Sequence, residues 1–248
     1  MKIIAIGGGG NGRPNMPYDM QELDAEIVAY SGKQNPKLLV VTLAQGVLEK
    51  EEIYFAATKQ NFSNLGCECE MFSTSDIVRL PHDKIRQKFL SSDIIYVAGG
   101  NTLGLMNYCR KYGLTEIFAE AAEKDIVLCG SSAGGICWFR YGNSDSRRYT
   151  SGSSQLVRVS GLGFIDALFC PHFDTEIHRK TSVKKMLKNT PFIALAFENC
   201  SAIKTDGKKY EILKTKPSVK AFKCYWQKGD YITKEINGSG DLDSLLRK

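Results

Sequence analysis

An apolar run, Ile126-Val127-Leu128-Cys129, leads directly into the pentapeptide Gly130-Ser131-Ser132-Ala133-Gly134, and a stretch with helical spacing follows from 135 to 140. Between a strand and a helix, a G-x-S-x-G sequence forces its central residue into a strained turn and exposes that side chain above the sheet. The flanking residues are small because bulkier side chains would collide with the strand and the helix. The pattern predicts a nucleophile elbow with Ser132 as the nucleophile of a serine hydrolase. Such turns also occur without a catalytic role, so the prediction needs a partner for the serine.

Segments typical of strands and of helices alternate on both sides of this motif. In the first half, strands are predicted at 2–6, 37–42, 67–72, 93–97 and 125–129, with helices at 51–61, 82–90, 103–109 and 114–123. Nearly continuous apolar strands separated by helices are typical of a parallel sheet covered on both faces. The predicted fold class is therefore α/β, with a mostly parallel central sheet flanked by helices on both faces.

The second half of the chain changes character. A polar segment from 143 to 154 is predicted to be a surface loop, and a strand at 167–170 and a helix at 176–187 follow it. Short apolar segments then follow closely, with Asp206-Gly207 as a turn, and predict additional C-terminal β-hairpins. Since no linker or internal repeat divides the chain, we expect a single domain over residues 1–248.

Composition excludes several classes of function. The 248 residues are 43% hydrophobic and 24% charged, as in an ordinary globular protein, and the net charge of +6 is dispersed. The richest basic stretch, 179–188, is interpreted as the solvated face of a helix, so no nucleic-acid partner is expected. The eight cysteines form no C-x-x-C pair and there are three histidines, so no metal or other cofactor is expected. The sequence contains neither a signal peptide nor a membrane-spanning stretch, which predicts a cytoplasmic protein with reduced thiols and no membrane contact.

The glycine-rich segment Gly7-Gly8-Gly9-Gly10-Asn11-Gly12 follows the first strand and satisfies G-x-G-x-x-G. A dinucleotide site also needs a helix that opens on the third glycine and an acidic residue at the end of the second strand. Here Pro14 and Pro17 prevent such a helix, and the second strand ends in Val41-Thr42-Leu43. We therefore expect the glycines to let this loop pass close to the rim of an active site.

A serine nucleophile needs a base, and three histidines are available. His82 follows a proline at a predicted helix start, and His178 lies in a charged helical stretch, which are both surface settings. His172 ends an apolar strand, where open α/β sheets bind their ligands at the carboxyl edge. A histidine at a strand end is more often structural than catalytic, but its place on the same edge as Ser132 makes His172 the preferred base.

The third member, an acid that orients the imidazole, has three candidates. Asp145 lies in the polar loop, Asp174 is two residues beyond His172, and Glu198 follows the apolar segment 193–197. Spacing alone does not rank them.

Four segments in order resemble a known family. They are Tyr96-Val97-Ala98-Gly99-Gly100-Asn101-Thr102, Ser132-Ala133-Gly134, the Asn-Ser-Asp loop that ends at Asp145, and Pro171-His172-Phe173. Together they resemble the serine peptidases that include dipeptidase E (aspartyl dipeptidase) and cyanophycinase, and the resemblance runs from the first strand to about Thr205. It implies a flavodoxin-like fold related to class I glutamine amidotransferases. It also implies a dipeptidase-like peptidase that forms an acyl-enzyme on Ser132, acts on a small peptide and prefers acidic residues.

The resemblance also implies roles for individual residues. Ser132 is the nucleophile, His172 the base and Asp145 the acid, with Glu198 as the alternative acid in the order found in the amidotransferases. The backbone N–H groups of Gly100 and Ala133 form the oxyanion hole.

Substrate contacts are expected from Asn101 and Arg179, because family members hold acidic groups with arginines and polar side chains near the histidine. Arg147 and Arg148 are further candidates, and a surface role for all three arginines is an equal alternative. Cyanophycinase has several arginines after its histidine, whereas this chain has one arginine and a lysine there, which argues against cyanophycin as the substrate.

Other functions compete with this interpretation. The main alternative is a non-catalytic binding or regulatory protein of the same fold. An amidotransferase needs a cysteine at the elbow, and Cys129 and Cys137 are misplaced for that role. An esterase of the α/β-hydrolase type is disfavoured, because the 40 residues between Ser132 and His172 leave little room for its intervening elements. The sequence does not determine the oligomeric state, and a homodimer stays open.

Overall fold

The computed structural model describes residues 1–176 and 178–248, and in these residues the chain forms two sheets surrounded by helices. The strands are β1 (Lys2–Ile6), β2 (Lys37–Val41), β3 (Glu68–Phe72), β4 (Ile94–Val97), β5 (Val127–Ser131), β6 (Phe139–Ser144), β7 (Val157–Ser160), β8 (Ile165–Cys170), β9 (Ala194–Phe197), β10 (Ser201–Thr205), β11 (Lys209–Lys214), β12 (Ala221–Gln227), β13 (Asp230–Ile236) and β14 (Ser239–Asp241). The helices are α1 (Gln21–Ser31), α2 (Leu48–Ser63), α3 (Thr74–Arg79), α4 (His82–Leu90), α5 (Thr102–Lys111), α6 (Leu114–Glu123), α7 (Ala133–Ile136), α8 (Arg147–Ser151), α9 (His178–Leu187) and α10 (Leu242–Leu246), and a 3-10 turn spans Leu43–Gln45.

The first sheet confirms the predicted fold class. Its eight strands run in the order β14-β11-β10-β1-β5-β4-β2-β3, and the strands from β1 to β3 in that order are parallel to one another. Alternate residues of β1 belong to two separate cores: Ile3 to the one that also contains residues of α4, α5 and α6, and Ile4 to the one that contains residues of α1 and α2. Both faces are therefore covered by helices, which explains why these strands are apolar at nearly every position. At the other edge, β10, β11 and β14 add antiparallel strands.

A second sheet departs from the single sheet that the sequence predicted. It has six strands in the order β13-β12-β9-β8-β6-β7 and includes the predicted C-terminal strands β12 and β13. The predicted helix at 135–140 ends at Ile136 instead, because α7 is a single turn, and the chain enters β6 at Phe139. The loop after β6 also begins later than the predicted surface loop, because Asn143 and Ser144 are the last two residues of β6 and are buried.

Strand ends from both sheets meet at one place. Ser132 follows β5 of the first sheet, and its N–H donates to the carbonyl of Ile6 at the end of β1 (3.1 Å). His172 follows β8 of the second sheet, and its N–H donates to the carbonyl of Gly7 (2.9 Å). The prediction that these two residues share one sheet edge is therefore wrong, although the loop after β1 joins the two edges. In the residues that the structure describes, no helix is long and apolar enough to cross a membrane.

Candidate active site

Ser132 lies in the strained turn that the motif predicts. Its φ of +57° and ψ of −110° place it outside the regions that most residues adopt, between β5 and α7. A Cβ on Gly130 would lie 2.4 Å from the carbonyl oxygen of Val97, and one on Gly134 would lie 1.9 Å from the same oxygen. Both glycines are therefore required because the end of β4 packs directly against the turn.

His172 is the histidine that reaches this serine. Its Nε2 lies 2.9 Å from Oγ of Ser132, and its own backbone is strained, with a φ of +52°. His82 begins α4 and His178 begins α9, and both are exposed, as expected for surface histidines. A serine hydroxyl hydrogen-bonded to an imidazole at the carboxyl ends of α/β strands is the arrangement of a serine hydrolase.

The third member of the constellation is an amide. Oδ1 of Asn199 lies 2.7 Å from Nδ1 of His172. None of the predicted acids takes that place: Asp174 accepts from the backbone N–H of Asn199 (3.0 Å), and Glu198 accepts from the backbone N–H of Lys220 (2.8 Å). Asp145 lines the cavity in front of Ser132 and is not hydrogen-bonded to His172.

Burial lowers the pKa of His172, because removing the ring from water disfavours its charged form, and the nearby Arg179 guanidinium lowers it further. The hydrogen bond to Asn199 and the carboxylates of Glu176 and Asp145 act in the opposite direction, but the pKa stays below its ordinary value. At neutral pH the imidazole is therefore neutral and able to accept a proton.

The cavity in front of Ser132 measures about 320 Å³ and is lined by groups of both charges. Asp145 and Glu176 supply carboxylates, and Arg13 and Arg148 supply guanidinium groups. The volume is near the lower end of the range of roughly 300–1,000 Å³ that is typical of small-molecule pockets.

The glycine-rich loop after β1 forms one wall of this cavity, as predicted. Asn11 is 5% exposed, its Oδ1 accepts from Nε of Arg13 (2.9 Å), and its Nδ2 has no hydrogen-bond partner in the described residues. Asn61 holds the loop by donating from Nδ2 to the carbonyl of Asn11 (2.9 Å). The guanidinium of Arg13 lies 4.7 Å from the ring centre of Tyr54. The wall therefore presents the guanidinium of Arg13 to the cavity, in contact with Asn11 and Tyr54.

Two predicted substrate contacts are corrected by the structure. Arg179 is 2% exposed. Its Nε donates to Oε2 of Glu176 (2.8 Å) and its Nη1 to the carbonyl of Asn143 (2.5 Å), so its guanidinium is used in protein contacts and is not among the groups that line the cavity. Asn101 uses Oδ1 to accept from the N–H of Gly104 (3.1 Å), which caps the start of α5. Of the two other predicted arginines, Arg148 lines the cavity, whereas Arg147 is bonded to Gln155 at the surface.

The predicted oxyanion donors lie beside the serine. Gly100 lines the cavity, and Ala133 directly follows Ser132 as the first residue of α7. Within the part of the chain that the structure describes, neither backbone N–H donates to another protein group. Gly100 has a φ of +132°, and a Cβ there would lie 2.4 Å from the carbonyl oxygen of Ala44, so only glycine fits.

Sequence reasoning missed Asn199, Asn11 and Arg13. Asn199 follows a predicted strand end, next to the acid candidate Glu198, and its position was the available signal. Asn11 and Arg13 belong to the glycine-rich loop, and the prediction that this loop passes close to the rim of an active site was the available signal for them.

Comparisons with known proteins identify the family. The family model of Peptidase family S51 matches residues 3–213, so the chain belongs to Peptidase family S51 and is a serine peptidase. This confirms the resemblance drawn from the four sequence segments.

Individual relatives agree with this assignment. The chain is 32% identical over 188 residues to the uncharacterized peptidase YgaJ of Bacillus subtilis (strain 168), covering 76% of this chain and 75% of that protein. A peptidase from an acI-B1 actinobacterium has a similar crystal structure, with a TM-score of 0.71 at 16% identity over 97% of this chain and 96% of that one. A Listeria monocytogenes EGD-e protein assigned as a peptidase E gives a TM-score of 0.63 at 18% identity over 86% and 98% of the two chains. At these identities the two structures show a shared fold.

Proposed function

We propose that this serine peptidase hydrolyses short peptides through an acyl-enzyme on Ser132. The observation that carries the proposal is the 2.9 Å contact between Oγ of Ser132 and Nε2 of His172, at the mouth of a cavity of about 320 Å³. The neutral imidazole that burial favours has the protonation state that a general base requires.

The reaction would proceed in two halves. Oγ of Ser132 attacks the carbonyl carbon of the peptide bond while its proton passes to Nε2 of His172. The tetrahedral intermediate collapses as His172 returns that proton to the leaving amine, which leaves an ester on Ser132. A water molecule then gives a proton to His172 and attacks the ester, and the acid product departs as the proton returns to Ser132.

Gly100 and Ala133 are suited to stabilise the oxyanion of both intermediates. Gly100 lines the same cavity as Ser132, and Ala133 is the next residue in the chain; neither N–H has a partner in the described residues, so neither need break a bond to bind the developing charge. Donors positioned in this way lower the barrier by about 3 kcal/mol each.

The charges that line the cavity suggest how a short peptide is held. The carboxylate of Asp145 has no hydrogen-bond partner in the described residues and, with Glu176, is suited to a peptide's free ammonium group. Arg13 and Arg148 are suited to a carboxylate, because a guanidinium group presents only hydrogen-bond donors. These contacts favour dipeptides that carry an acidic residue.

The test combines a nucleophile variant with a substrate panel. Ser132→Ala should lose labelling by a fluorophosphonate probe and all hydrolysis, whereas Ser131→Ala, which changes the adjacent serine, should still be labelled. The panel contains Asp-Leu, Asn-Leu, Glu-Leu, Gln-Leu and Ala-Leu, and we expect hydrolysis to be fastest for the acidic members.

Two results would count against the proposal. Unchanged labelling of Ser132→Ala would remove Ser132 as the nucleophile. An inert Ser132 in the wild type, together with no hydrolysis across the panel, would favour a non-catalytic protein of the same fold.

A further inference from the structure

We propose that Asn199 is the residue that positions the His172 imidazole, in the place where the resemblance implied a carboxylic acid. The inference rests on the proposed function of Ser132 and His172. Its basis is the hydrogen bond of 2.7 Å between Oδ1 of Asn199 and Nδ1 of His172. No carboxylate is hydrogen-bonded to this ring among residues 1–176 and 178–248.

The amide selects the tautomer that catalysis needs. An amide oxygen can only accept, so Nδ1 of His172 must carry the proton that forms this bond. The neutral ring then has a lone pair on Nε2, which faces the hydroxyl of Ser132. In the other tautomer Nε2 would carry the proton and could not remove the one on the serine.

The other polar groups of Asn199 also have partners. With Oδ1 facing the ring, Nδ2 donates to Oγ1 of Thr175 (3.4 Å), and the backbone N–H of Asn199 donates to Oδ1 of Asp174 (3.0 Å). The carboxylate of Asp174 therefore contacts the backbone of Asn199 instead of the imidazole.

A neutral partner changes the acid–base chemistry of the histidine. A carboxylate within hydrogen-bonding distance typically raises the pKa of a neighbouring base by about one unit or more, and an amide does so much less. Among the charged groups near His172, Arg179 on α9 disfavours the imidazolium, and the carboxylates of Glu176 and Asp145 favour it. Replacing Asn199 by an acid would add a negative charge in direct contact with the ring.

Two substitutions test this role, with hydrolysis of a cleaved dipeptide as the readout across the pH range. Asn199→Ala should lower kcat by about 100-fold or more with KM changed less than about threefold, because it removes only the orientation of the base. Asn199→Asp should retain most of the activity at alkaline pH and move the acid limb of kcat/KM upward by about one pH unit. Asn64→Asp, on the exposed C-terminal end of α2, adds the same charge elsewhere and should leave the limb unmoved.

The outcomes separate this inference from the proposed function. If Asn199→Ala keeps kcat within about twofold of wild type and the limb of Asn199→Asp does not move, Asn199 has no positioning role. If Ser132→Ala still hydrolyses the dipeptide, the proposed function fails instead. Should Asn199→Ala not fold, the near-isosteric Asn199→Asp decides alone. Proton NMR adds a direct readout: a slowly exchanging Nδ1–H resonance is expected in the wild type and should be absent from His172→Ala.

Discussion

Gly8 packs so closely against Asn199 that a Cβ at this position would lie 2.2 Å from Oδ1 of the amide, and 2.4 Å from the ring of His172. The carbonyl of Gly8 also accepts from the N–H of Cys200 (2.8 Å), which ties the loop to the segment that carries Asn199. The glycine-rich loop therefore covers the pair of residues that follow β8 and β9, and it belongs to the site.

We expect Gly8→Ala to lower kcat/KM by about 100-fold, because the methyl group would displace the imidazole or the amide by a substantial part of an ångström. An alanine at position 8 would also be strained, because the backbone there has a φ of +140°. Gly12→Ala is the matched control in the same loop: its φ is +79°, but the nearest atom to a new Cβ is 3.5 Å away on Tyr18. The control should lose about 1 kcal/mol of stability and little activity. Equal activity losses in the two variants would contradict the close packing at Gly8.

In the pH profile of kcat/KM, the midpoint of the acid limb should lie below about pH 6.5, the ordinary pKa of histidine. Burial and the charge of Arg179 lower the pKa of His172, so the free base persists to lower pH and activity falls only when the ring is protonated. Initial rates with a neutral dipeptide, whose own groups do not titrate in this range, would measure the limb. A midpoint clearly above that value would show that the neighbouring carboxylates dominate the histidine.

Arg13→Gln should reduce the preference for acidic substrates. Losing a charge-assisted hydrogen bond typically costs about 1.5–3 kcal/mol, so kcat/KM for Asp-Leu should fall by about 10- to 100-fold. The value for Asn-Leu should change little. Arg158→Gln is the control, since its guanidinium also lies over a tyrosine ring, 4.9 Å from the centre of Tyr141, but outside the cavity. An unchanged ratio of the two substrates in Arg13→Gln would assign the preference to another residue.

The pairing of Ser132 with His172 could be predicted because both residues end apolar strands, and the carboxyl ends of such strands bind ligands in α/β folds. Asn199 could not be predicted in the same way. It follows β9, the neighbour of β8 in the second sheet, but spacing along the chain does not show which polar residue beyond these strands faces the imidazole. An amide is also a less obvious partner than the neighbouring acid Glu198, whose carboxylate turns instead to the backbone of Lys220.

Arg179 illustrates a second limit of prediction. It lies in the basic run His178-Arg179-Lys180, of which the flanking residues are exposed and the central one is buried. Its burial depends on the carbonyl of Asn143, in a segment that the sequence assigned to a surface loop. A charged residue becomes a structural one here because of a long-range contact that spacing along the chain does not encode.

We expect Arg179→Gln to destabilise the protein without changing substrate preference. The substitution leaves the buried carbonyl of Asn143 without its donor and Glu176 without its partner, at a cost of about 2–3 kcal/mol. The substitution should also move the midpoint of the acid limb of kcat/KM to higher pH, because it removes a positive charge that lowers the pKa of His172. Urea unfolding and the Asp-Leu to Asn-Leu ratio are the measurements. A variant of normal stability with a lost acidic preference would restore Arg179 as a substrate contact.

Asp24 gives a prediction about stability that is independent of catalysis. It is a buried residue of α1, 2% exposed, with Oδ2 accepting from the hydroxyl of Tyr18 (3.0 Å) and Oδ1 unpaired in the described residues. Burial raises its pKa to about 7, well above the value of about 3.9 for an unfolded chain. Between those values the folded state holds a proton that the unfolded state releases, so stability falls as pH rises through this window. Asp24→Asn keeps the acceptor and removes the charge.

The stability advantage of Asp24→Asn over wild type should therefore grow by about 2–3 kcal/mol between about pH 5 and pH 8, since the wild type must bury a carboxylate at the higher pH. Chemical unfolding at several pH values would measure the difference. The same measurement on Asp83→Asn, an exposed residue of α4, corrects for the loss of one negative charge from the chain. If the advantage of Asp24→Asn were the same at both pH values, the carboxyl group would have to ionise alike in the folded and unfolded chain, and burial of Asp24 would carry no cost.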